Sequence, residues 1–291
     1  MMYLLRAWRF KILIGNSASI WHLYPVVSIH TMFVNLFPLG TGEFALPYLL
    51  KKRNITQGFA EGIPSLILAR LFDFVVIGIF FIMALLSIKK SLSEYVWILS
   101  VIISFIFLLL LLKFAAVKKE YIFSFLDTKR KRFWLKKYPR FMDKVISILK
   151  DILIGFEVLK KRKILFLTLF STVCCRLVMY FGVFFLLHGV GLNLTFFEIV
   201  FISSFYVLLP LVPVNAFGGF GTTEALLVFL IVGFGYARET AVIASFQIHL
   251  IQLIIAVILG LFGFLHLWIE KKKPAREQIF TDNVISLDAN R

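Results

Sequence analysis

Residues 241–269 run for 29 positions without a single Asp, Glu, Lys or Arg. A stretch that long and that apolar is what a helix needs to cross about 30 Å of hydrocarbon at about 1.5 Å per residue. Similar stretches recur at 12–37, 63–88, 95–117 and 164–188, with shorter ones at 196–212 and 222–235. With 60% of its 291 residues hydrophobic, the chain has too little polar surface to clothe a water-soluble domain. Lipid removes that demand but requires every backbone N–H and C=O to be satisfied within its own segment. The runs are continuous, without the roughly ten-residue alternation of a membrane β-barrel. The expected fold is therefore all-α, a polytopic transmembrane helical bundle. Residues 1–270 form its single domain, and a polar tail at 271–291 is expected to be disordered.

The formal net charge is +16, and its distribution carries the information. Between Lys113 and Lys163 there are 16 Lys/Arg against five Asp/Glu. The positive-inside rule accounts for this better than nucleic-acid binding does, so no nucleic-acid partner is expected. The basic loop at 118–163 and the run Lys271–Lys273 are placed on the cytoplasmic side of the cell (inner) membrane, facing anionic headgroups. Within the loop, Phe141, Val145, Ile148, Leu149, Ile152, Phe156 and Leu159 recur at helical spacing. They suit a helix lying in the headgroup layer or one packed on the bundle. Lys51, Lys52 and Arg53 fall on the same side. The basic residues Arg6, Arg9 and Lys11 then fall outside, against the rule. Either the first segment dips and returns, or one more helix precedes it.

The adjacent Cys174 and Cys175 have neither disulfide geometry nor CxxC spacing, and the five histidines show no ligand spacing; no metal or cofactor is expected.

Two interruptions stand out. The first is Asn35-Leu-Phe-Pro38-Leu-Gly40-Thr-Gly42-Glu43. The second runs from Pro213 and Asn215 through Gly218, Gly219 and Gly221 to Glu224. Proline removes a donor and glycine favours non-helical backbone, so the helices should break at Pro38, Gly40, Gly42, Pro213, Gly218, Gly219 and Gly221, and either broken segment can be re-entrant. Paired broken helices are the pattern of a transporter site, with hinges around a polar cleft. On the topology above both breaks fall on the cytoplasmic side. The alternative is a pair of interfacial turns whose glutamates cap the next helix.

Arg70 and Asp73 stand three apart on one helical face, and Arg176 lies inside another apolar run. Buried charges of this kind need partners. For Arg176 the candidates are Glu43, Glu224 or a lipid phosphate, which suits the planar guanidinium fork. A structural Arg–Glu clamp is the competing explanation. Gln247 and His249 in the last pass suit an intramembrane hydrogen bond.

At these residues the chain resembles the flippase-like transmembrane region of lysylphosphatidylglycerol synthases. Asn35, Pro38, Gly42 and Glu43 match the family's Asn followed by Pro-x-x-Gly-Glu. Arg70 and Asp73 match Arg-x-x-Asp, and Pro213, Gly218, Gly219, Gly221 and Glu224 match the late glycine-rich motif with two extra residues. The resemblance spans about residues 5–270. Members usually carry one more helix in front, and commonly an arginine near the place of His249. The resemblance implies the lipid-translocating part rather than aminoacyl transfer. It marks Asn35, Glu43, Arg70, Asp73 and Glu224 as substrate-binding, and Arg176 joins them by its place inside an apolar run, with Arg70 and Arg176 meeting a headgroup phosphate. Glu43 and Glu224 would orient those arginines or meet a cationic headgroup. Membrane lipids are the implied partners. The competing function is a membrane-embedded or accessory component of a glycosyl- or aminoacyl-transferase, with a separate soluble transferase as partner. No nucleotide loop or DxD motif supports an enzyme.

Overall fold

The computed structural model describes residues 1–15, 19–38, 40–56, 58–88, 161–206 and 216–288. The expected third pass at 95–117, the basic loop up to residue 160 and Pro213 lie outside the described residues. Within them every regular element is helical, as the need to satisfy backbone groups inside lipid requires. The α-helices are α1 (Met2–Ile14), α2 (Ile20–Leu36), α3 (Ala45–Lys52), α4 (Phe59–Ser87), α5 (Arg162–Gly189), α6 (Phe196–Tyr206), α7 (Thr222–Gly233) and α8 (Arg238–Asp288). Short 3-10 turns at Thr41–Phe44 and Phe217–Gly219 mark the two breaks.

Three stretches are long and apolar enough to cross a bilayer: Glu61–Ser87, Arg162–Gly189 and Arg238–Glu270. Only 33%, 33% and 28% of their most apolar windows are buried within the chain. Exposed apolar surface on that scale is untenable in water. Acyl chains cover it in a bilayer, as along the outer face of α8 at Ile254, Ile258, Leu261 and Phe262.

The stretch 12–37, expected as one pass, is divided. Gly15, at φ 66°, ends α1 in the left-handed conformation and returns its N–H to the Lys11 carbonyl, a geometry glycine adopts without a Cβ penalty. Ser19 then caps α2, its Oγ accepting from the Trp21 N–H at 3.3 Å. Helix α1 packs against α2, α4 and α5. Arg6 and Arg9 therefore belong to a packed helix rather than to a flanking loop. At the other end α8 continues to Asp288, through the segment expected to be disordered. Lys271–Lys273, Arg276, Glu277 and Gln278 are good helix formers, so loss of hydrophobicity ends the span without ending the helix.

The core is built in two halves. Phe10, Leu23, Val27, Ile29, Leu46, Leu50 and Leu68 join α1 to α4; Leu187, Leu192, Ile199, Leu227, Ile231 and Ile248 join α5 to α8. Helices α2 and α8 meet along a glycine seam. A Cβ on Gly263 would lie 2.9 Å from the Pro25 carbonyl oxygen, and one on Gly260 would lie 2.5 Å from Met32. Lipid is as apolar as leucine, so close backbone approach of this kind is what holds membrane helices together. A Gly263→Leu protein is expected to lose about 1–3 kcal/mol by overpacking, read as an earlier thermal transition in detergent. Gly182→Leu, at a position with nothing within 4 Å, should leave the transition where it is.

Helices α2 and α8 run antiparallel. The start of α2 and the end of α3 meet α8 at one place, where Glu270 pairs with Arg53 and lies 3.7 Å from His22. The α2–turn–α3 segment thus enters and returns to the same level, as a re-entrant segment does. Both breaks lie away from that end. Phe37 is about 22 Å along α2 from His22, and Leu253, which packs on Gly218, is about 25 Å along α8 from Glu270. The eight residues of α3 set the first break about 12 Å from Arg53.

Candidate functional site

Arg70 and Asp73 lie about 14–18 Å along the apolar span that begins at Glu61, where an uncompensated charge is costly. The Asp73 carboxylate is 7% exposed and collects three guanidinium groups. Arg9, from α1, straddles it with Nη1 at 2.8 Å from Oδ1 and Nη2 at 3.4 Å from Oδ2. Arg176, from α5, places Nη2 at 2.9 Å from Oδ1, and Arg70 places Nη1 at 3.8 Å from Oδ2. Arg9 also donates to Thr172 Oγ1 at 3.4 Å. One carboxylate thus ties α1, α4 and α5 together. The planar forks allow this sharing, which a compact ammonium would achieve less well.

The first break supplies the second acid. After α2 ends, Gly40 takes φ 67° and the chain turns back against α2 so closely that Gly42 has no space for a Cβ: one would lie 2.3 Å from the Phe33 carbonyl oxygen. That approach presses Glu43 against α2 and α4. Its Oε2 lies 3.1 Å from His30 Nε2, and its Oε1 accepts from Arg70. Arg70 therefore bridges Glu43 and Asp73, and its side chain is the open edge of the cluster at 38% exposure. Beside it, Arg6 donates to Thr31 Oγ1 at 3.2 Å.

The second break is built otherwise. Gly218, Gly219 and Gly221 all have positive φ, and the chain enters α7 with Glu224 at the third position. Glu224 Oε2 accepts from the Gly221 N–H at 2.7 Å, while Oε1 lies 2.6 Å from His249 Nδ1 on α8. The two breaks touch through Phe37 and Phe217, whose ring centroids are 6.0 Å apart.

Of the six residues marked as substrate-binding, Glu43, Arg70, Asp73 and Arg176 form one connected set of ion pairs. Glu224 pairs with His249 on α8 and also caps its own helix. Asn35 is exposed, and its Nδ2 donates to the Thr31 carbonyl at 2.7 Å within α2. Arg176 finds its acid in Asp73 rather than in Glu43 or Glu224, because α4 and α5 pack face to face. Arg6, Arg9 and His30 were missed as site residues. The available signal was the i, i+3 spacing of Arg6 and Arg9, which sets both on one face of a helix.

Residues 1–260 match the family described as the lysylphosphatidylglycerol synthase TM region. No curated protein and no solved structure matches the chain.

Proposed function

The chain belongs to the lysylphosphatidylglycerol synthase transmembrane family, a membrane protein related to lipid modification or flipping, and from that premise we propose that it binds an anionic lipid headgroup at mid-depth and carries it between leaflets. One observation bears most of the weight: four arginines gather around two carboxylates inside an apolar bundle. A clamp that only fastened helices would need matched charges, whereas a surplus of guanidinium forks suits phosphate oxygens. Asp73 and Glu43 hold the arginines in place; Arg70, at the open edge, is the group that meets the headgroup. The turn at Thr41–Phe44 supplies a non-helical joint beside the cluster, as broken helices do in transporters. On this reading the protein sits in the cell membrane with the basic 118–163 loop and Lys271–Lys273 cytoplasmic, and membrane lipids are its partners.

The test is transbilayer movement of a fluorescent phosphatidylglycerol in proteoliposomes, followed by chemical quenching of the outer leaflet. Arg70→Gln should slow movement about tenfold or more, the factor that follows from losing a charge-assisted hydrogen bond of about 1.5–3 kcal/mol. Lys52→Gln, on the exposed end of α3, should move lipid at the wild-type rate. Equal rates for Arg70→Gln and wild type would refute the assignment.

A further inference from the structure

The arginine cluster is unbalanced in a way that specifies its ligand. Arg6, Arg9, Arg70 and Arg176 contribute four positive charges, and Asp73 and Glu43 contribute two negative ones. With His30 counted neutral, two positive charges remain among the described residues. Both carboxylates are already engaged, Asp73 by three guanidinium groups and Glu43 by Arg70 and His30. Among the described residues Arg6 has no carboxylate within ion-pair distance; its one described side-chain hydrogen bond goes to the neutral Thr31 hydroxyl. That hydroxyl is itself donated to the Val27 carbonyl at 2.8 Å, so it offers Arg6 only a lone pair. Arg6 meets the cluster through its neighbours: it stands three residues before Arg9 on α1, and Thr31 adjoins His30, which pairs with Glu43. Arg9 is 4% exposed, and among the described residues its buried Nε has no acceptor.

Resting on the transport reading above, we propose that the ligand of this cluster is a lipid phosphate monoester, held by Arg70 at the open edge and by Arg6 and Arg9 from α1. A phosphodiester headgroup carries one negative charge and would leave one guanidinium uncompensated at membrane depth. A monoester carries about −1.5 to −2 at neutral pH and presents three terminal oxygens, enough to satisfy both surplus charges. Arg6 and Arg9 stand three residues apart on the inner face of α1, so one monoester can take a donor from each while Arg70 closes over it. Arg6 is the residue that sets the preference, because it brings the charge that no acid in the cluster answers.

The experiment uses the full-length protein in phosphatidylcholine nanodiscs at about pH 8, above the second phosphate ionisation near 6. Dioleoyl phosphatidic acid serves as the monoester probe and dioleoyl phosphatidylglycerol as the diester, with bound lipid read by native mass spectrometry. The wild-type protein is expected to retain the monoester over the diester by about tenfold, the ratio set by one additional charged contact. Arg6→Gln should bring the two within about threefold of each other, and Arg6→Lys should restore part of the preference. Equal retention of the two lipids by the wild type overturns the monoester assignment. It does so without touching the transport reading, which stands or falls on Arg70→Gln and phosphatidylglycerol movement. An unchanged preference in Arg6→Gln overturns the role given to Arg6. Competition by inorganic phosphate at the same concentration as phosphatidic acid would show that the site takes free phosphate, and would overturn the lipid assignment.

Discussion

Asp73→Asn is expected to cost the protein about 3–5 kcal/mol, the penalty for removing one partner from a buried ion pair. The reason lies in the geometry of the cluster. Asp73 is the common acceptor for Arg9 at 2.8 Å, Arg176 at 2.9 Å and Arg70 at 3.8 Å. Arg9 and Arg176 are only 4% and 7% exposed. The asparagine keeps the shape but withdraws the charge, so α1 and α5 would bring Arg9 and Arg176 into one apolar space without their carboxylate, while Arg70 keeps Glu43. Like charges then repel where water cannot screen them. The measurement is the thermal unfolding midpoint of detergent-solubilised protein, with monodispersity on a sizing column. A second variant separates charge from shape. Arg176→Gln added to Asp73→Asn removes one of the orphaned cations and should recover part of the lost stability, a coupling expected only for residues that share a network. An Asp73→Asn protein that melts with the wild type would mean the arginines are compensated elsewhere.

Much of the architecture was legible because hydropathy alone decides it. The spans within α4, α5 and α8 are set by length and apolarity, and the Arg70–Asp73 contact follows from spacing on one helix. What spacing cannot supply is the partner across helices. For Arg176 the sequence offers only distant acids, and the packing of α4 on α5, which no local pattern encodes, selects Asp73. Arg6 and Arg9 fall outside the first pass when 12–37 is taken as one apolar run. Yet Gly15-Asn16-Ser17 is a turn signal, and taking it as the end of a helix would have put both arginines on a face. The two glycine-rich motifs are the subtler lesson. They match in sequence and share one use, since each glutamate meets a histidine of a neighbouring helix, Glu43 at His30 and Glu224 at His249. They differ in that Glu43 goes on to Arg70, while Glu224 also folds back on the N–H of Gly221. A cap of that kind is written locally, so the capping alternative could be read from sequence, whereas the reach of Glu43 to His30 and Arg70 could not.

Gly42→Ala should impair lipid movement as severely as Arg70→Gln, by about tenfold or more, although the substitution adds one methyl group and no charge. The added Cβ would lie 2.3 Å from the Phe33 oxygen, 2.4 Å from its carbon and 2.6 Å from the Val34 nitrogen. All three are backbone atoms of α2, so no side-chain rotation relieves the contact. Either the Thr41–Phe44 turn moves outward or the last turn of α2 unwinds, and both draw Glu43 off His30 and Arg70. Gly40→Ala is the matched control: its φ of 67° strains an alanine by about 1 kcal/mol, but nothing stands within 4 Å of the new methyl, so Glu43 should stay in place. If the damage at Gly42 runs through Glu43, then Glu43→Gln and Gly42→Ala act on one contact. The double variant should then transport no more slowly than the worse of the two single variants. Losses that multiply would show that the turn and the carboxylate act separately, and the first break would then be a hinge with no hold on the arginine cluster.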